Sequence, residues 1–280
     1  MSPPLPQIPS TEGPLAFAAV LDEAAKFDVP VHRVSQGSGI MLLTDGEIKD
    51  FMQLGQENQT EVCLFVGPRN AWDISATARS SAGVNVPGHR GMDQIKFALE
   101  DIGRGCDLGL RSILVADSGL LWAVDEAKKA GHLPANLIQK MSVQLGVTNP
   151  ANALVMQRLG AGTLNPTTDL TVQQLSAIRE VVDVPLDVYV EAPDDFGGYV
   201  RHFEVPDMVD ALGPVYIKLG LRNSPNIYPA GNHLQATCIA LSRERVRRAR
   251  LVLDLLERYS DSKSTMSPRG PASDLGVPFA

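Results

Sequence analysis

The 280-residue chain is short of cysteine, of aromatics and of long apolar runs. Its only cysteines, Cys63, Cys106 and Cys238, are dispersed, which gives neither a disulfide framework nor a CxxC pair. Three separate thiols also fall short of the four thiolates of an iron–sulfur cluster. No apolar run approaches the roughly 20 residues needed to cross a bilayer. The N-terminal MSPPLPQIPSTEGP lacks the basic and apolar regions of a secretory signal. These absences read as a cytoplasmic protein with reduced thiols and no membrane partner. Basic charge is scarce as well: 25 Lys and Arg against 32 Asp and Glu leave a net charge of -7, a poor match to nucleic acid. No Gly-x-Gly-x-x-Gly follows a strand, which disfavours a dinucleotide-binding sheet. There is no HxH or HxxxH pair, and no Ser/His/Asp or Cys/His arrangement in recognisable context.

What is present is a regular alternation. Hydrophobic residues make up 44% of the chain, enough for a sizeable core. Short apolar runs at 31–35, 62–67, 112–116, 140–144, 162–164, 187–190 and 215–219 read as strands buried on both faces, because they are β-branched without strict alternation. Helix start signals stand between them. Thr44 with Glu47 and Thr171 with Gln174 form capping boxes, and Asn149-Pro150 is an N-cap followed by proline at the first helical position. Residues 119–130 and 239–259 read as further helices.

Strand–helix alternation of this kind implies parallel strands and predicts a TIM-type (β/α) barrel. Seven strands are visible, so the eighth is irregular or missing, with 71–90 and 221–236 as its candidate locations. A helix over 14–27 could plug the barrel end. The organisation expected is an N-terminal arm at 1–13, one barrel domain at 14–260 and a C-terminal tail at 261–280. If the tails are ordered, a neighbouring subunit is the surface expected to receive them, and a homo-oligomer is expected.

In a parallel barrel the C-terminal strand ends ring the active-site mouth. Those ends carry Gln36, Arg69, Asp117, Gln144, Asn165, Glu191 and Lys218. Glu191 directly ends an apolar run and is the candidate acid/base. Asp194 and Asp195 precede Gly197-Gly198 and read equally as turn formers. Lys218 suits an ion pair with Glu191 or a substrate carboxylate, and, as a lesser alternative, a Schiff base. Arg69 and Arg222 are fork-shaped donors for carboxylate or phosphate. The aperiodic segment 222–234 reads as a lid offering Tyr228, Asn232 and His233, with His233 a second candidate base. Residues 80–91 read as another mouth loop carrying His89 and Arg90. No cofactor is predicted, although Glu191, Asp194 and His202 could hold a divalent metal. The arginine run RERVRRAR at 243–250 reads as a solvated helix face.

The segments ADSGLLWAVDEA, KMSVQLGVTNPANALVMQRLGAGTLNPTTDLTVQQLSAIREV, PLDVYVEAP and VYIKLGLRN, in that order over residues 112–223, resemble the collagenase-like peptidase family, number thirty-two among peptidases of unknown catalytic type. Gln144, Asn149, Lys218 and Arg222 fall on matching positions. The resemblance implies a TIM-type barrel and a peptidase label. The chain departs from the family where Glu191-Ala-Pro-Asp194 replaces His-Gly-Ala and a cysteine, where Asn165-Pro166 replaces an Arg-Glu pair, and where the later cysteine cluster is absent. The resulting expectation is a barrel enzyme using acid/base chemistry, as hydrolase or lyase, on a small polar or anionic substrate. A genuine peptidase and a non-catalytic ligand-binding or assembly protein are the alternatives.

Overall fold

The computed structural model describes residues 5–67, 88–259 and 276–278. Eight parallel strands close into a barrel in chain order: β1 (Leu5–Pro9), β2 (Arg33–Gln36), β3 (Glu61–Phe65), β4 (Ser112–Val115), β5 (Ile138–Met141), β6 (Thr163–Leu164), β7 (Leu186–Glu191) and β8 (Val215–Leu219). Among the described residues the helices are α1 (Pro14–Phe27), α2 (Asp45–Glu57), α3 (Gly91–Asp107), α4 (Ser118–Lys129), α5 (Pro150–Arg158), α6 (Val172–Arg179), α7 (Val205–Leu212) and α8 (Gln235–Tyr259).

The expected barrel is therefore present, and its eighth strand lies at the N-terminus. Leu5–Pro9 pairs with β2 on one side and β8 on the other, closing the barrel through Gln7 opposite Lys218. An arm over 1–13 is corrected accordingly. The prolines at 6 and 9 conceal the strand, because proline lacks the ladder N–H and is disfavoured in central strands. With β1 first, the helix at 14–27 follows a strand and packs outside the barrel against α2 and α8 rather than plugging its end. Segment 221–236 is likewise no strand: it runs through a turn at Asn232–Leu234 into α8. Residues 71–87 lie outside the described residues.

Local chemistry sets the helix starts. Both capping boxes form, at Thr44/Glu47 and at Thr171/Gln174. Asn149 accepts from the Asn152 N–H at 2.9 Å, with Pro150 at the first helical position. Strand residues facing outward, such as Val34, Val62, Ile113, Leu186 and Ile217, meet the helices in one apolar layer. Residues 276–278 return to their own chain: Val277 is buried, Gly276 sits against Ser112 and Ile138, and Pro278 lies beside Gly55. That stretch of the tail packs at the N-terminal end of β4 and β5, on the chain's own barrel.

The interior of the barrel is polar. Arg33, Glu61, Lys140, Asp187 and Lys218 all point inward and are almost fully buried. Arg33 Nε is 2.7 Å from Glu61, and Arg33 Nη1 is 2.5 Å from Asp187. Lys140 Nζ lies 3.4 Å from Asp187 and donates to Gln7 Oε1 at 2.6 Å. Ser112 and Tyr216 donate to Glu61 at 2.6 and 3.2 Å, and Thr163 donates to Asp187 at 2.7 Å. The Arg33 guanidinium stacks 3.6 Å from the centre of the Tyr216 ring. Paired in this way, buried charges become tolerable where isolated ones would not be.

Candidate active site at the barrel mouth

A narrow cleft with a cavity volume of about 30 Å³ opens at the C-terminal ends of the strands. Lys218, next to last in β8, reaches it from below, Ser35, Leu114 and Tyr189 line it from other strand positions, and Ser142 lines it just after β5. Lys218 Nζ donates to Asn165 Oδ1 at 2.7 Å and lies 4.0 Å from the centre of the Tyr189 ring. Asn165 in turn donates to the Pro166 carbonyl, which fixes its oxygen towards the lysine.

Gln144 closes one side. β5 ends at Met141, and a short 3-10 turn over Val143–Leu145, capped by Ser142, lifts the amide onto the cleft wall. Both polar atoms of that amide are buried without a hydrogen-bond partner among the described residues. A protein leaves a buried amide in this state rarely, because each unmet group costs about 1–3 kcal/mol. The roof is Tyr228, from the segment between β8 and α8, whose hydroxyl meets the Ser10 hydroxyl after β1. Its ring lies so close to Gly37 that a Cβ there would come within 2.5 Å of it. The roof is held further by Ala230, whose N–H donates to Ser38, which donates to the buried Glu12. Behind this wall the buried Arg245 of α8 donates to the Ser10 carbonyl at 3.2 Å. The arginine run thus has one inward member, a correction to a wholly solvated face, while Arg247 and Arg250 do pair locally with Glu244, Asp254 and Glu257.

Of the candidates read from the sequence, Gln36, Lys218, Gln144 and Tyr228 converge on the cleft, with Asn165 directly beneath. Others are drawn elsewhere. Glu191 accepts from the Arg222 N–H at 3.2 Å, and its other oxygen is 3.2 Å from His202 and 3.8 Å from Arg248. Burial raises its pKa, but these partners outweigh burial and hold it below the ordinary value. Lys218 therefore bonds to Asn165 while Glu191 ties β7 to the segments after it. Asp194 accepts from Arg222 Nε and the Asn223 N–H, so it does not complete a triad with Glu191 and His202. Among the described residues no group of three metal-ligating side chains gathers. Asp117 caps α4 through the Leu120 N–H and accepts from the His89 N–H, both at 2.7 Å. Burial works to raise its pKa, yet the hydrogen bonds from His89 and Leu120 bring it down to about 2. His233 and Arg222 are exposed, and Arg69 lies outside the described residues.

The sequence reading missed Ser10, Ser35, Tyr189 and Phe196 as cleft residues, and the charged interior as a unit. Ser10 went with the unseen first strand. Phe196 reaches the cleft because residues 192–201 fold back on β7, stacking it 6.3 Å from Tyr189. The interior did leave a signal: β2, β3, β5, β7 and β8 each carry one of Arg33, Glu61, Lys140, Asp187 and Lys218, and charges inside doubly buried strands must face one another.

The fold and this mouth define a β/α barrel with its candidate site at the usual face. No protein-family model matches the chain, and no curated protein matches it. Similar solved structures include the U32 peptidase Mk0906, at 17% identity over 69% of this chain and 71% of that one, TM-score 0.42. D-psicose 3-epimerase with D-tagatose from Clostridium cellulolyticum H10 is 11% identical over 90% and 98%, TM-score 0.49. Thiamine phosphate pyrophosphorylase from Pyrococcus furiosus is 14% identical over 90% and 96%, TM-score 0.45. Barrels of this kind host many unrelated chemistries, so activity has to be argued from the site. Among the described residues no helix is long and apolar enough to cross a membrane.

Proposed function

We propose that the chain is an enzyme acting on a small anionic metabolite in the mouth cleft. The observation that carries this reading is the pairing of Lys218, the charged side chain lining the cleft, with the Gln144 amide, whose donor and acceptor are both unspent among the described residues. A buried amide with no internal partner is suited to a ligand that supplies one. The hydroxyls of Tyr228, Ser10, Ser35 and Ser142 supply neutral donors and proton carriers around that anion. Glu191, Arg222 and Arg248 act as a brace for the mouth segments, and Glu191 is reassigned from acid/base to positioning. A hydrolase or lyase acting on a small acid fits this cleft better than a peptidase, because an extended peptide needs an open groove and Tyr228 roofs this one.

The test is calorimetric titration of the purified protein with a panel of small mono- and dicarboxylates and inorganic phosphate. At least one should bind. Gln144→Leu should weaken that ligand about 10-fold, the equivalent of one net hydrogen bond. Lys218→Met should remove binding altogether. Unchanged affinity in both variants would dismiss the site.

A further inference from the structure

We infer that the mouth cleft is built for short 2-hydroxy carboxylates, with the Gln144 amide as the specificity-determining group. This deepens the proposed function and rests on it for the negative charge of the ligand. Both polar atoms of that amide are buried and unpartnered among the described residues. The backbone beneath it is pinned, which keeps the amide at the cleft wall. The Ser142 N–H donates to the Val115 carbonyl at 2.8 Å, and Ser142 Oγ accepts from the Gln144 N–H at 3.3 Å. Gly146 closes the turn in the left-handed region at φ 65°, and Val143 is buried in one cluster with Tyr189.

An open primary amide makes two demands at once. Its N–H group needs an acceptor, and its Oε1 needs a donor. A simple carboxylate or a 2-oxo carboxylate carries acceptors only. It meets the first demand and leaves Oε1 buried and unpaired, which costs affinity. A hydroxyl supplies the missing donor. The two amide atoms share one carbon, so their partners must be neighbours on the ligand as well. A hydroxyl on the carbon next to the carboxylate meets that spacing, whereas a hydroxyl one carbon further out draws donor and acceptor apart. A 2-ammonio group would also donate, but it would set a second cation beside Lys218, which lines the same cleft.

Size narrows the class further. The cavity of about 30 Å³ has room for two or three water-sized groups, at roughly 10–15 Å³ each. Tyr228 roofs it, with its hydroxyl joined to Ser10, and Phe196 closes it beside Tyr189. Two- and three-carbon acids such as glycolate and lactate are of that scale, and longer chains meet the roof.

The experiment is calorimetric titration of the full chain with matched acids. Lactate and propionate differ by the 2-hydroxyl alone, and lactate and 3-hydroxypropionate are isomers of equal charge. Lactate should bind about 10-fold or more tightly than either, the worth of a hydrogen bond that also pairs a buried acceptor. In Gln144→Met protein, shown to be folded by circular dichroism, that preference should vanish. Equal affinity of the wild-type chain for the three acids would overturn the hydroxy-acid class and leave the anion site standing. Binding of a panel anion that lacks a 2-hydroxyl, with lactate and glycolate both inert, would do the same. A preference that survives in Gln144→Met would overturn the role of the amide. Lactamide bound as tightly as lactate would overturn the carboxylate. No binding of any of these acids, nor of any panel anion, would overturn this class and the proposed function together.

Discussion

Replacing Asp187 with asparagine tests the charged barrel interior most directly. The carboxylate is wholly buried and faces Arg33 at 2.5 Å and Lys140 at 3.4 Å, with Thr163 donating at 2.7 Å. The asparagine amide keeps the size and one acceptor, so packing and the Thr163 hydrogen bond survive, and the loss is one of charge. Breaking one side of a buried ion pair costs about 3–5 kcal/mol, because the other charge is left in a medium that solvates it poorly. Arg33 retains Glu61 at 2.7 Å and Lys140 can release its proton, so the expected cost lies near the lower bound, about 3 kcal/mol. Against a typical total of about 5–15 kcal/mol, a loss of that size is easily seen in urea denaturation followed by far-ultraviolet circular dichroism. A second substitution, Lys140→Met, should recover part of it, since the stranded ammonium is then gone. A loss under about 1 kcal/mol for Asp187→Asn would mean that these charges are not desolvated together.

Two more expectations follow from the geometry. Asp117 has its pKa lowered to about 2 from 3.8, so its contribution to stability is fully present above pH 3.8 and is lost as pH falls towards 2; Asp117→Asn, which keeps the helix cap, should flatten the acid unfolding curve in that window. If the wild-type and variant curves stay parallel between those pH values, the His89–Asp117 contact contributes nothing. Val277→Ala should cost about 1.5 kcal/mol by removal of two buried methyl groups at the barrel's lower end, measured as a shift in urea midpoint, and no change would mean that 276–278 do not hold their place in solution.

Glu191 illustrates what a strand-end argument can reach. Its place at the end of β7 was legible, and so was its burial, but a strand end points to a face of the barrel and not to a partner. The fold-back of 192–201 brings His202 to it, and α8 brings Arg248, from far along the chain. Gln144 illustrates the opposite case. Read as a mouth residue from the apolar run before it, it lines the cleft from a tight turn just beyond β5.

Strand periodicity, capping boxes and the N-cap at Asn149 are properties of a few consecutive residues, and the sequence alone determined them, together with the barrel they imply. β1 escaped that reading because its two prolines mask a strand that only the ladders of β2 and β8 reveal. Which charges meet inside the barrel, which of the mouth residues share one cleft, and where 276–278 settle were decided by tertiary structure. The physical reason is closure: eight inward-facing side-chain rows become neighbours only when β1 meets β8, and the energy of a buried charge depends on the groups that closure brings within a few ångströms of it.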